Sequence, residues 1–246
     1  MKISYPVFKS LVALSLGTLG VCMSEFSIMG ILPEVAHSLS VSIPDAGHFI
    51  SAYALGVCVG APLTVLVARS RPLRSILLAL MLVFIAGNTL TALAPNASMM
   101  LAARFIAGMP HGAYFGVASI VADKLAGRAF SVLAVSIVVS GATIANLVGV
   151  PGATLVTQIL SWRVAYGIVA GVGLLVIIGV RAWVPQLPGL KDTGYSDSLG
   201  GDNRSGYNNP EFDAKVDEAR TIVDDEERVA KMQDGGDHHE GHGLPD

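Results

Sequence analysis

Charge is what this chain has least of. Only 14% of its 246 residues are Asp, Glu, Lys or Arg, against about 25% in an ordinary soluble domain. With 52% hydrophobic residues and a mean hydropathy of +0.59, that shortage excludes a water-soluble globular domain as the main architecture. Cysteine is equally scarce. Cys22 and Cys58 both fall inside apolar runs, which excludes a disulfide framework and leaves them as small packing residues. Acids are nearly missing from residues 1–189, where four stand against ten Lys and Arg, a net charge of +6. Residues 190–246 reverse this, with a net charge of −9. The chain therefore divides into an apolar part, 1–189, and an acidic polar tail, 190–246. No nucleophile–base set, metal cluster or phosphate-binding loop fits the apolar part, so no enzyme activity, cofactor, metal or nucleic-acid partner is expected.

What is present is a series of long apolar runs. A spanning helix needs about 20 mainly apolar residues. Six runs qualify: Leu11–Leu32, Phe49–Val67, Leu73–Leu93, Met99–Val121, Phe130–Ile159 and Val164–Val184. The fold class expected is all-α integral membrane. Pro151 is expected to bend or interrupt the long fifth run. The start, "MKISYPVFKSLVALSLG", has the look of a secretory signal, but no Ala-x-Ala-like site follows, so an uncleaved first helix is expected. The connections alternate in charge. Lys2 and Lys9 precede the first span, Arg69, Arg71 and Arg74 follow the second, and Lys124 and Arg128 follow the fourth. The first loop holds only Glu34 and Asp45, and the third, "APNA", is uncharged. The positive-inside rule then puts both termini in the cytoplasm. Asn96-Ala97-Ser98 has the pattern of a glycosylation sequon, read as a chance match in a very short loop.

Ionisable groups inside a membrane are costly and mark functional sites more often than not. Glu25 lies seven residues before Leu32, about 10 Å from that end at the α-helical rise. Arg104 lies five residues into the fourth span, at a similar depth of about 8 Å from the same side. If the two helices adjoin, these charges can pair directly or through water, which lowers the burial cost of each. His111 follows Arg104 by two helical turns, on nearly the same face and about 10 Å deeper. Buried acids and histidines are groups able to exchange protons near neutral pH. An acid, an arginine and a histidine along one path suit proton coupling; the same residues also suit a purely structural pair that fixes helix packing. Gly108, Gly112 and Gly116 recur at the spacing that lets helix backbones approach. Asn88 and Asn146 are interhelical hydrogen-bonding groups or cavity residues. Tyr114 and Phe115 line a cavity or fill the core.

Together these residues form a familiar pattern. "SEFSIMGILPEVAHSLSVSIPDAGHFISAYALGVCVGAPL", "GNTLTALAPNASMMLAARFIAGMPHGAYFGVAS" and "GATIANLVGVPGATLVTQILSWR" resemble, in order and spacing, the drug/sugar:proton antiporters of the major facilitator superfamily, the group of the arabinose-efflux-like permeases. The resemblance covers about residues 5–187. It implies a helical bundle whose first and fourth helices line a central cavity. It implies that the Arg104–Gly108–Gly112 run is a fourth-helix motif whose arginine is linked to proton coupling. It further implies a proton or cation role for Glu25, and an antiporter motif at Gly149, Pro151 and Gly152. There Val150 separates a glycine and proline that are usually adjacent. The family's loop after the second helix carries an Asp-Arg pair. Ala68-Arg69 stands in that place, leaving Arg69, Arg71 and Arg74 as the basic part of a gating network. The family has two six-helix halves, and the resemblance is to the first.

In the tail, "GYNNPEFDAKVDEARTIVDDEERVAKM" reads as two short amphipathic helices. About residues 205–232 resemble a segment of the periplasmic peptide-binding proteins of ABC importers, without a complete binding site. His238, His239 and His242 beside Asp237 and Glu240 read as a metal-binding tract or as a disordered polar end.

The expectation is a half-length form of a proton-coupled efflux antiporter for small molecules such as drugs or sugars, in a bacterial inner membrane. Its partners would be lipid, substrate and protons, and a homodimer would complete a twelve-helix transporter. The competing expectation is a non-transporting fragment or scaffold whose buried charges are structural.

Overall fold

The computed structural model describes residues 3–68 and 71–187. The regular elements among them are helical: α1 Tyr5–Ser38, α2 Ile43–Ala68, α3 Leu73–Leu93, α4 Ala97–Ala126, α5 Ser131–Ile144, α6 Val150–Ile159 and α7 Trp162–Trp183. A 3₁₀ turn, Arg128–Phe130, leads into α5, and a π-helical turn, Ala145–Gly149, joins α5 to α6. These pieces run on from one another, so that Arg128–Ile159 is one membrane span. Six spans long and apolar enough to cross a bilayer result. The tail expectations, including the amphipathic helices and the histidine tract, and Arg69 lie outside the described residues.

Local chemistry sets the helix ends. Asn96 caps α4, its side chain accepting from the Met99 N–H at 2.9 Å. The supposed glycosylation site is thus a helix cap. Ser161 caps α7 by accepting from the Val164 N–H. Ser42 caps α2, accepting from the Asp45 N–H at 3.2 Å. Gly127, with φ 68°, ends α4 in a conformation that strains any residue with a Cβ.

Two expected span ends move, and the expected interruption of the fifth span is present. α1 passes through Pro33 and ends at Ser38, not Leu32. α4 passes through Pro110 unbroken and reaches Ala126. One missing N–H costs less than ending a helix whose neighbours hold it in place. The interruption of the fifth span falls just before Pro151, as the π turn. Proline has no N–H to bond the carbonyl four residues back, and a wider turn is one local way to absorb the mismatch.

α1 is the hub of the bundle, packing on α2, α4, α5, α6 and α7. α2 packs along α4, and α3 packs between α4 and α7. Two apolar clusters fill the interior. One holds Leu14 and Val21, Leu77 and Phe84, Tyr114 and Val121, and Val176. The other holds Ile28 and Ile31, Phe49, Ala92, Met100 and Tyr166. On each of three helices a polar stretch falls in the gap between clusters: Ser24 and Ser27 on α1, Asn88 and Thr91 on α3, Arg104 on α4, all buried.

Candidate functional site

This polar layer is built from the α1 backbone outward. Arg104 is fully buried. Its Nη1 donates to the Ser24 carbonyl at 2.8 Å and lies 3.5 Å from Ser24 Oγ. Ser24 Oγ donates to Asn88 Oδ1 at 2.7 Å, and Asn88 Nδ2 donates to the Phe84 carbonyl at 2.8 Å. One chain of hydrogen bonds therefore ties α4, α1 and α3. Above it the guanidinium lies 4.3 Å from the Tyr53 ring and 5.6 Å from the Tyr166 ring. Desolvated contacts of this kind are worth about 2 kcal/mol, which offsets part of the cost of a buried cation. Among the described residues, Arg104 Nε and Nη2 have no hydrogen-bond partner, and neither has the Tyr166 hydroxyl.

Glu25 does not pair with Arg104. Its Oε2 meets His111 Nε2 at 3.4 Å, with the side chains 31% and 13% exposed respectively. Depth counted along helix axes puts His111 well away from Glu25, and the register agrees. Leu14 meets Tyr114 and Ser24 meets Arg104, so α1 and α4 are antiparallel, and Glu25 and His111 are offset by about 12 Å along the axes at the α-helical rise. Side chains, however, lean toward the N-terminus of their own helix. On antiparallel helices these two lean toward one another and close the gap. Arg104, on the same helix as His111, leans the same way and so passes the Glu25 carboxyl to reach the backbone of Ser24.

Tyr53, which sequence reasoning passed over, joins the two halves of the site. Its ring lies under Arg104, and its hydroxyl is 3.1 Å from the Val21 carbonyl and 3.0 Å from His111 Nδ1. The only sign of it in the sequence is a lone tyrosine in an apolar span, "SAYALG". Two hydrogen-bond patterns fit these distances. In one, the Tyr53 O–H donates to the Val21 carbonyl and His111 Nδ1–H donates to the Tyr53 oxygen; in the other, the Tyr53 O–H donates to Nδ1 and Nε2–H faces Glu25. In both, His111 stands between Tyr53 and the Glu25 carboxyl. The opposite face of the ring stacks on Phe115, with centroids 5.4 Å apart.

The other expected site residues are placed as follows. Tyr114 is fully buried, its hydroxyl donating to the Leu14 carbonyl at 3.3 Å; it staples α4 to α1 within the core. Asn88 is buried in the hydrogen-bond chain just described. Asn146 is exposed, with Nδ2 donating to the Ala142 carbonyl of its own helix. Gly108 lies at the α2–α4 crossing, where an added Cβ would be 2.2 Å from the Tyr53 carbonyl oxygen. Gly112 has Val57 and Ala61 at ordinary contact distance, whereas Gly116 has nothing within 4 Å among the described residues. Close approach thus applies to the first glycine of the three. Gly149 sits against Met23, Gly152 faces open space, and Pro151 starts α6. Arg74 Nη2 donates to the Arg181 carbonyl, and Arg71 is exposed.

The fold and the buried ionisable set together define a helical, multi-pass membrane protein whose polar groups lie on facing helices. Residues 14–199 match the Major Facilitator Superfamily, and the chain belongs to that family. It is similar to AraJ of Escherichia coli (strain K12), 43% identical over 179 residues, covering 73% of this chain and 45% of AraJ. It is 41% identical over 186 residues to the inner membrane transport protein YdhP of the same organism, covering 76% of this chain and 47% of YdhP. A chloramphenicol resistance protein of Streptomyces lividans is 35% identical over 162 residues, 66% of this chain and 41% of that protein. The chain spans about half the length of the curated relatives it matches.

Proposed function

We propose that the chain works in proton-coupled efflux of small molecules, with the Glu25–His111 pair as the proton-carrying element. The observation that carries this reading is the 3.4 Å contact between Glu25 and His111, with Tyr53 on the far side of the ring. Two titratable groups in contact, both partly accessible, form a site that a proton can load and leave. Losing that proton leaves a negative charge on Glu25 facing a neutral imidazole. Coupling needs such a differential effect on two conformations. Arg104, bound to the α1 backbone one residue from Glu25, senses that charge without sharing the proton. Phe115 and the exposed side of Glu25 border the substrate path. The alternation of basic loops supports cytoplasmic termini in an inner membrane. Transport by this family uses two six-helix halves rocking about a central site, so the active unit pairs this bundle with a second one. A second copy of this chain is one source of it.

The reading is tested on the full chain, purified and reconstituted in vesicles with an imposed pH gradient and chloramphenicol as the probe substrate. Gradient-driven flux should fall to the no-gradient level in Glu25→Gln. Flux that persists unchanged in that variant overturns the proton role. A second reading, that the polar layer only fixes helix packing, is favoured by Arg104 being fully buried and bonded to backbone. It requires that the wild-type chain give no flux at any gradient.

A further inference from the structure

α2 and α3 follow one another in the chain, yet each packs on α4 and they scarcely meet one another. The result is a cleft of about 430 Å³ between them, floored by Met109 and Pro110 of α4. Its lining is graded. Arg71, Ser75 and Thr64 stand at one end, near the loop that joins the two helices. Leu63, Ala79 and Val83 line the rest, and the apolar wall from Ser75 to Val83 runs about 12 Å toward the bilayer centre at the α-helical rise. Leu63 and Val83 are exposed, so the cleft opens sideways on the face of a membrane-spanning bundle, where lipid is the solvent. Its volume is that of a small-ligand site.

We propose that this cleft binds one phospholipid with an anionic headgroup, its phosphate on Arg71 and an acyl chain along Leu63, Ala79 and Val83. Three features select that occupant. The polarity runs from headgroup level to hydrocarbon. Arg71 is exposed at the cleft mouth, while its neighbour Arg74 is turned away to the Arg181 carbonyl. Arg71 is the charged residue among the described residues that line the cleft, and Arg74 and Arg181 stand near it, so a headgroup of net negative charge is preferred over a zwitterionic one. The orientation proposed above puts the site in the cytoplasmic leaflet. Binding itself does not depend on the transport reading.

The test is native mass spectrometry of the full chain in detergent, titrated with phosphatidylglycerol, with phosphatidylethanolamine and with inorganic phosphate. One phosphatidylglycerol should be retained in preference to phosphatidylethanolamine. Arg71→Ala should weaken that binding about fivefold, the effect of one arginine at a membrane surface, and Arg71→Lys should retain most of it. Ala79→Trp, which fills the tail groove and leaves the charge intact, should abolish it. Both substitutions are at exposed positions, and unchanged helicity by circular dichroism verifies folding. The proposal is overturned by equal retention of the two lipids, or by unaltered binding in Arg71→Ala. It is equally overturned if phosphate alone displaces the lipid, or if a lipid-free dimer occupies this face.

Discussion

Alanine at Gly108, Gly112 and Gly116 separates tight helix packing from mere glycine spacing. At Gly108 a Cβ would lie 2.2 Å from the Tyr53 carbonyl oxygen, 3.0 Å from its carbon and 3.2 Å from its Cα. All three are backbone atoms, so no rotamer change relieves the clash. α2 would have to retreat by about 1 Å to reach ordinary van der Waals separation. The seam is tight on the other side too, since a Cβ at Gly56 would meet the Phe105 carbonyl oxygen at 2.1 Å and one at Gly60 the Met109 carbonyl oxygen at 1.9 Å. Overpacking of this kind costs about 1–3 kcal/mol. The gain in helix propensity from glycine to alanine returns at most about 1 kcal/mol. Gly108→Ala should therefore destabilise, by up to about 2 kcal/mol on those two figures. At Gly112 the nearest atoms are Val57 Cγ1 at 3.4 Å and Ala61 Cβ at 3.6 Å, ordinary contacts, and alanine should be near neutral. At Gly116, with nothing within 4 Å among the described residues, alanine should be neutral or stabilising by less than about 1 kcal/mol. The measurement is the unfolding midpoint of each variant in dodecyl maltoside, followed by circular dichroism. A silent Gly108→Ala, or a Gly116→Ala as damaging as Gly108→Ala, refutes the reasoning.

Two further variants probe the polar layer. Ser24→Ala removes the donor to Asn88 Oδ1 and leaves a buried amide oxygen unpaired, a loss of about 1–3 kcal/mol read from denaturant midpoints; adding Asn88→Leu should recover part of it. Tyr53→Phe keeps the ring under Arg104 but deletes the hydroxyl that holds His111 Nδ1. Nitrogen NMR of labelled histidine should show a single tautomer in the wild type and a mixture of tautomers in the variant. An unchanged spectrum would mean that Tyr53 does not set the tautomer.

The scarcity of charge and the six apolar runs were enough to define a helical membrane protein, because hydrocarbon forces every backbone group to bond within its own segment. That requirement acts along the chain and is legible there. α3 matches its expected bounds, Leu73–Leu93, because Pro72 and the polar loop after Leu93 bound it on both sides. The ends of α1 and α4 lie beyond the expected Leu32 and Val121, because a helix that runs on past the apolar run is held by neighbouring helices, which a linear pattern does not contain. The ionisable residues were visible as anomalies in apolar spans, so Glu25, Arg104 and His111 could all be named. Their partners could not be. Whether Glu25 faces Arg104 or His111 turns on the direction in which side chains lean on antiparallel helices. Whether Gly108 or Gly116 needs to be glycine turns on where α2 crosses α4. Tyr53 escaped notice for the same reason: a tyrosine in an apolar run is ordinary until packing sets it between a buried guanidinium and an imidazole. Sequence by itself determined the solvent of this protein, its spans and the list of its buried ionisable groups, since each follows from local composition. Which of those groups touch was decided by the tertiary structure alone, because a contact across 3.4 Å depends on register, lean and crossing point.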